Sequence, residues 1–143
     1  MQQRQLGSKG PKISAIGIGA MSFSDFYGVT SEAESHAILT AALDEGVTHI
    51  DTADVYGNGT SESVIGSFLA RQGGQKHDMF SVATKAGIAT DNNSGKRYFD
   101  NTAAYLQHSV DRSLSRLGLD QIDLFYVHRR DADTSIEEVT ETL

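Results

Sequence analysis

The stretch His49 to Glu62, HIDTADVYGNGTSE, brings a short apolar run to an end at Ile50. It then sets a carboxylate at Asp51 and a phenol at Tyr56 before passing into glycine and asparagine. Two more ionisable residues stand at comparable points: Lys85 closes FSVATK and His128 closes IDLFYVH. Together these side chains have the makings of a carbonyl-reducing site. A free phenol, with a pKa of about 10, donates protons poorly near neutrality, and an adjacent ammonium favours its ionised form. Lys85 beside Tyr56 would tune the phenol in this way, and Asp51 would hold the lysine charged and in place. His128 would hydrogen-bond the oxygen that gains negative charge. Cysteine is absent, and the five histidines (His36, His49, His77, His108, His128) show no close metal-ligand spacing. The set fits hydride transfer to a carbonyl, with the hydride drawn from a bound cofactor. Each residue also has a plainer reading. A lone Asp or Lys at a strand end is commonly solvated, and a lone His after an apolar run is commonly packed. What raises these four above that is their coincidence on the same ends of successive runs.

The elements that would position them alternate. Residues 4–6 and 12–16 read as a hairpin turned by Gly7-Ser8-Lys9-Gly10-Pro11. A strand over Ile16 to Ala20 precedes a helix opened by Ser31, with Glu34 completing a capping box and Gly46 as its stop. Val47 to Asp51 is a second strand, followed by a helix with Val64, Ile65, Phe68 and Leu69 on one face and Gly73-Gly74 after it. Phe80 to Lys85 leads to a helix with Leu106, Val110, Leu114 and Leu117, ending at Gly118. Ile122 to His128 is the fourth strand, and Thr134 with Glu137 reads as the next capping box.

Four strand-helix units in succession imply a parallel sheet, either an open doubly wound sheet or a (β/α)8 barrel. The open form would carry a glycine-rich turn after its first strand, and GIGAMS at 17–22 lacks the third glycine. A barrel instead accounts for the polar residues, because its active site lies at the C-terminal ends of the strands. Asp51, Lys85 and His128 end the second, third and fourth strands, and Tyr56 reaches in from the loop after Asp51.

Composition sets the frame around this site. The 143 residues, 38% apolar and 22% charged, suit one globular domain. A net charge of −7, with basic residues scattered apart from Lys96-Arg97 and Arg129-Arg130, speaks against nucleic acid or an anionic membrane as partner. A small-molecule carbonyl substrate is the expected partner. The N-terminal MQQRQLGSKG has no apolar signal core, and no apolar run approaches the ~18 residues of a membrane span, so a cytoplasmic location is the default expectation. The polar loop Ala89 to Arg97 would overhang the rim, as a gate or simply as a solvated loop. Arg129-Arg130 would meet an anionic substrate or phosphate, or else pair with Asp131 and Asp133. Phe23, Phe26 and Tyr27 would line a substrate pocket or pack beneath their loop.

Read together, GIGAM at 17–21, DTADVYG at 51–57, ATK at 83–85, SLSRLGLDQIDLFYVH at 113–128 and SIEEV at 135–139 resemble the aldo-keto reductase superfamily. The HRRD after the fourth strand and the segment GIGAMSFSDFYG are similar to the branch of bacterial aldo-keto reductases and plant perakine and pyridoxal reductases. The resemblance implies NADPH-dependent reduction of aldehydes or ketones, with Tyr56 as general acid, Lys85 and Asp51 as its tuning pair, and His128 orienting the carbonyl. It also implies that Asp51 meets the nicotinamide ribose and that Gly19, Ala20 and Met21 lie near the nicotinamide. On this reading residues 1–143 are the N-terminal half of a (β/α)8 TIM barrel: a hairpin and about four βα units, ending within the fourth helix, where Ile136, Val139 and Leu143 share a face. The other half of such a barrel would carry the nicotinamide amide contacts, a stacking aromatic and the phosphate-binding basic residues. Open sheet edges would favour self-association or pairing with that half. The alternative function is a non-catalytic cofactor-sensing or assembly module of the same fold.

Overall fold

The computed structural model describes residues 1–71, 73, 76–91 and 93–143. Gly74 of the expected glycine stop and Asn92 of the polar loop lie outside the described residues. In chain order the elements are β1 (Gln3–Gln5), β2 (Lys12–Ser14), β3 (Ile18–Gly19), a 3-10 turn (Ala20–Ser24), α1 (Glu32–Asp44) and β4 (His49–Asp51). A second 3-10 turn (Tyr56–Gly59), α2 (Thr60–Ala70), α3 (Lys76–Met79), β5 (Ser81–Ala86), β6 (Ile88–Thr90) and β7 (Arg97–Phe99) follow. The chain continues through α4 (Ala103–Leu117), β8 (Leu124–Val127) and α5 (Ile136–Thr142).

The parallel sheet runs β3-β4-β5-β8, in chain order and without the reversal that marks a doubly wound sheet. This is the winding of a barrel segment. Helices α1, α2 and α4 cover its outer face, where Leu39, Ile50, Ile65, Phe68, Leu69, Val82 and Leu117 form one buried cluster. Each such side chain contributes roughly 1.5–3 kcal/mol through burial. Gly66 allows α2 and α4 to touch: a Cβ there would sit 2.0 Å from the Arg116 carbonyl oxygen.

The antiparallel pair β1-β2 lies at the opposite end of the sheet from the strand C-termini. Ser14 N–H donates to Thr48 Oγ1 and Thr48 N–H donates to Ser14 Oγ, both at 2.9 Å, tying the hairpin to the start of β4. The same contacts shorten the first parallel strand. Ser14 Oγ donates to the Ile16 carbonyl and Ala15 N–H to Gln2, so residues up to Ile16 stay with the hairpin and parallel pairing begins only at Ile18 with Ile50.

Ser31 and Glu34 form the expected capping box on α1. On α5 the box is shifted by one residue, to Ser135 and Glu138 instead of Thr134 and Glu137. Thr134 Oγ1 is engaged by Asp131 Oδ2 at 3.0 Å, so the helix starts one position later. The polar loop is also more ordered than expected. Its ends pair as the antiparallel ribbon β6-β7, closed where Asp91 Oδ1 accepts from the backbone of Asn93 and Ser94.

Candidate active site

Strand alternation sets the first part of the site. Successive strand residues face opposite sides of a sheet, so Lys85 points to the inner face while Thr84 points to the helices. Lys85 Nζ donates to Asp51 Oδ1 at 2.5 Å and to the Thr52 carbonyl at 2.6 Å. Asp51 ends β4 in register with Ala83 and, on its other side, with Gly19 of β3. Its second carboxylate oxygen has no hydrogen-bond partner among the described residues.

Tyr56 is carried by the turn after β4. Gly57, Asn58 and Gly59 all take left-handed backbone conformations, with φ of 58°, 52° and 94°. Glycine adopts this region without steric cost and asparagine tolerates it, which explains the GNG of the opening stretch. The run folds the chain back sharply into α2 and leaves the phenol over the rim. Lys85 Nζ lies 5.1 Å from the centre of the Tyr56 ring. The ring in turn meets His128 edge to face, with centroids 5.7 Å apart.

His128 stands just beyond β8, its N–H bonded to the Ala86 carbonyl at 2.7 Å. Burial holds its imidazole below the ordinary histidine pKa, and the charges of Lys85 and Arg129 act in the same direction, against a smaller opposing effect of Asp51. These effects favour the neutral ring, and its Nδ1 is buried without a hydrogen-bond partner among the described residues. The backbone that carries it is clamped by Asn101, which is fully buried. Its Nδ2 donates to the Arg129 carbonyl and its Oδ1 accepts from Asp131 N–H.

A cleft of about 480 Å³ opens beside Tyr56 and His128, walled by Met21, Phe26, Val55, Ile88, Arg97 and Arg129. Of the three aromatics considered from sequence, Phe26 lines this cleft, whereas Phe23 packs into the core at 3% exposure. Tyr27 is exposed and meets Phe26 edge to face. Arg129 and Arg130 make no ion pair with Asp131 or Asp133 among the described residues. Asp131 instead accepts from Asp133 N–H and Thr134 Oγ1.

Gly19 ends β3, and Ala20 and Met21 follow it at the same rim. Ala20 is buried, with its carbonyl accepting from Ser61 Oγ, while a Cβ at Gly19 would meet nothing within 4 Å.

A second polar group, unread from the sequence, lies behind the rim. Glu62 is fully buried and accepts from Thr84 Oγ1 at 2.7 Å and Arg116 Nη1 at 2.9 Å. Nearby Asp54 has its carboxyl pushed up to about 6, first by burial and then by Glu62, with Arg112 and Arg116 pulling the other way. The signal available was the spacing of Glu62 in the first turn of α2, which reads equally well as an ordinary helix-start acid.

Among the described residues no helix is long and apolar enough to cross a membrane.

Residues 15–143 match the model of the aldo/keto reductase family. The chain is 40% identical over 127 residues to "Aldo-keto reductase yakc [NADP(+)]" of Schizosaccharomyces pombe, covering 89% of this chain and 37% of that protein. It is 36% identical to the aldo-keto reductase YhdN of Bacillus subtilis, covering 100% of this chain and 42% of the relative. Among solved structures, a holo-form aldo-keto reductase of Bacillus halodurans superposes with a TM-score of 0.85 at 32% identity, covering 99% of this chain and 45% of that one. The chain thus spans about two fifths of the length of the curated relatives it matches. With a family match over nearly all its residues and a backbone that superposes on part of such a reductase, the chain belongs to the aldo/keto reductase family.

Proposed function

We propose that the natural-length protein is an NADPH-dependent reductase of aldehydes or ketones, with Tyr56 as general acid. One observation carries this reading: Asp51, Lys85, Tyr56 and His128, from three separate stretches of the chain, meet at one rim as a continuous chain of contacts. The neutral His128 imidazole hydrogen-bonds the substrate carbonyl oxygen and orients it toward Tyr56. As the carbonyl carbon gains a hydride, its oxygen takes the phenolic proton of Tyr56, and the C=O becomes an alcohol. The Lys85 ammonium, fixed by Asp51 and Thr52, offsets the negative charge left on the phenol oxygen. The hydrogen bond between Tyr56 and substrate is expected to form only in the complex, as catalytic hydrogen bonds commonly do.

Open backbone at Gly19, the adjacent Ala20 and Met21, and the spare oxygen of Asp51 fit a nicotinamide and its ribose. Bound there, reduced NADP supplies the hydride. The NADP(+) in the name of the Schizosaccharomyces pombe relative supports that cofactor over NAD.

The test is consumption of NADPH by the natural-length protein in the presence of a generic aromatic aldehyde. Turnover with stoichiometric alcohol formation is the expected result. Tight NADPH binding without turnover would make the protein a cofactor-sensing module instead.

A further inference from the structure

The wall of the substrate cleft carries an unused charge. Arg97 and Arg129 both line the cleft beside Tyr56 and His128, and no carboxylate does. Among the described residues neither arginine has a carboxylate within ion-pair distance. In a chain of net charge −7, two unpaired guanidinium groups on one small concave wall run against the overall balance.

A neighbour adjoins the cleft. A second cavity of about 520 Å³ lies beneath the β6-β7 ribbon and against α4, and it shares Val55, Gly57, Ile88 and Arg97 with the first. Its far wall adds Arg112 and Arg116. Arg116 is engaged by Glu62, whereas Arg112 Nε is buried without a hydrogen-bond partner among the described residues. The one acid on this wall is Asp54, pushed up to about 6 by burial and drawn back by Arg112 and Arg116, so it faces those two arginines rather than Arg97. The neighbouring acids are engaged elsewhere: Asp91 by its own turn and Asp100 by Thr102. The two cavities adjoin along these shared residues, a trough lined by Tyr56 and His128 in the first, by Arg112 and Arg116 in the second, and by Ile88 and Arg97 in both.

We propose that this trough selects carbonyl substrates that carry an anionic group, a carboxylate or a phosphate, which Arg97 reads together with Arg129 on the same cleft wall. This deepens the reductase reading and rests on it. A guanidinium presents a planar fork matched to either oxyanion.

The test compares para-carboxybenzaldehyde, its neutral methyl ester and para-formylphenyl phosphate with NADPH and the natural-length protein. The expected result is a kcat/KM for the acid at least about tenfold above that for the ester, with the gap closing as salt is raised. A phosphate ester turned over faster than the acid assigns the trough to phosphates, and the reverse assigns it to carboxylates. Arg97→Gln should lower the acid-to-ester ratio about tenfold through KM, and Arg97→Lys should restore part of it. Arg97 is exposed and its side chain bonds no other described element, so both variants should fold. An acid-to-ester ratio at or below one, or a ratio that Arg97→Gln leaves untouched, overturns the inference while ester turnover leaves the reductase reading standing. If no aldehyde is reduced, the reductase reading fails, and calorimetric titration with terephthalate against neutral terephthalamide judges the trough separately. Equal binding of the two would overturn it.

Discussion

Asp51 with Lys85 and Glu62 with Arg116 are pairs of the same chemistry, set on opposite faces of one strand by adjacent residues. Lys85 faces inward and reaches Asp51, while Thr84 faces the helices and donates to Glu62. The outward pair is saturated. Glu62 is fully buried, both of its oxygens are bonded, and its partners hold α2, β5 and α4 together. The inward pair is left incomplete: Asp51 keeps a free oxygen, its side chain is 37% exposed, and the phenol above Lys85 has no hydrogen bond among the described residues. A carboxylate whose bonds are all made stabilises a fold, and one with a bond left to make is available to a ligand.

The largest effect that would test this contrast is Tyr56→Phe. It should lower kcat for carbonyl reduction by roughly 10²–10⁴-fold, the usual worth of a general acid, while NADPH affinity and the unfolding midpoint stay close to wild type. Steady-state rates, fluorescence titration and a urea melt on the same preparation check it, and near-normal turnover would remove Tyr56 from the mechanism. Lys85→Met should be nearly as severe.

Glu62→Ala should do the opposite. Removing it leaves the Thr84 hydroxyl unpaired in the interior and the Arg116 guanidinium without its partner, a loss of about 3 kcal/mol in stability. The folded fraction should still reduce aldehydes. If urea unfolding shows a change under about 1 kcal/mol, the saturated pair is not what fastens the helices to the strand.

The smallest effect concerns Asp54, where the sign depends on pH. Its folded pKa of about 6 lies above the unfolded value near 4, so the folded protein binds the extra proton between them. The contribution of this group to stability is fully present below about pH 4 and is lost as pH rises through about 6. Asp54→Asn removes a carboxylate that is disfavoured at neutrality. The variant should gain about 2 kcal/mol at about pH 8 and nothing at about pH 4, as read from denaturant midpoints at both. A gain of equal size at both pH values would point to a packing effect instead.

Much of this was legible in the residues, and the limits have physical causes. Apolar runs leading to Asp51, Lys85 and His128 could be read because a strand is a local feature and a parallel sheet puts such ends together, although β5 runs one residue past Lys85 and β8 stops one short of His128. The GNG after Tyr56 was legible as a turn, since three successive left-handed positions require such residues. By contrast, the cap of α5 could not be fixed to one residue. Thr134-x-x-Glu137 and Ser135-x-x-Glu138 fit the motif equally, and only the contact from Asp131 decided between them.

The sequence by itself determined the βα rhythm, the family and the four side chains at the rim, because periodicity, turn chemistry and strand ends are encoded within a few neighbouring residues. Only the tertiary structure decided which polar groups would be saturated. Glu62 meets Arg116 across 54 positions, and Asn101 clamps the loop behind His128 from 28 positions away. Arg97 and Arg129 likewise come from different segments to face one cleft. Those contacts depend on how closely the helices and the β6-β7 ribbon approach the sheet, a distance that packing sets and that no local pattern contains.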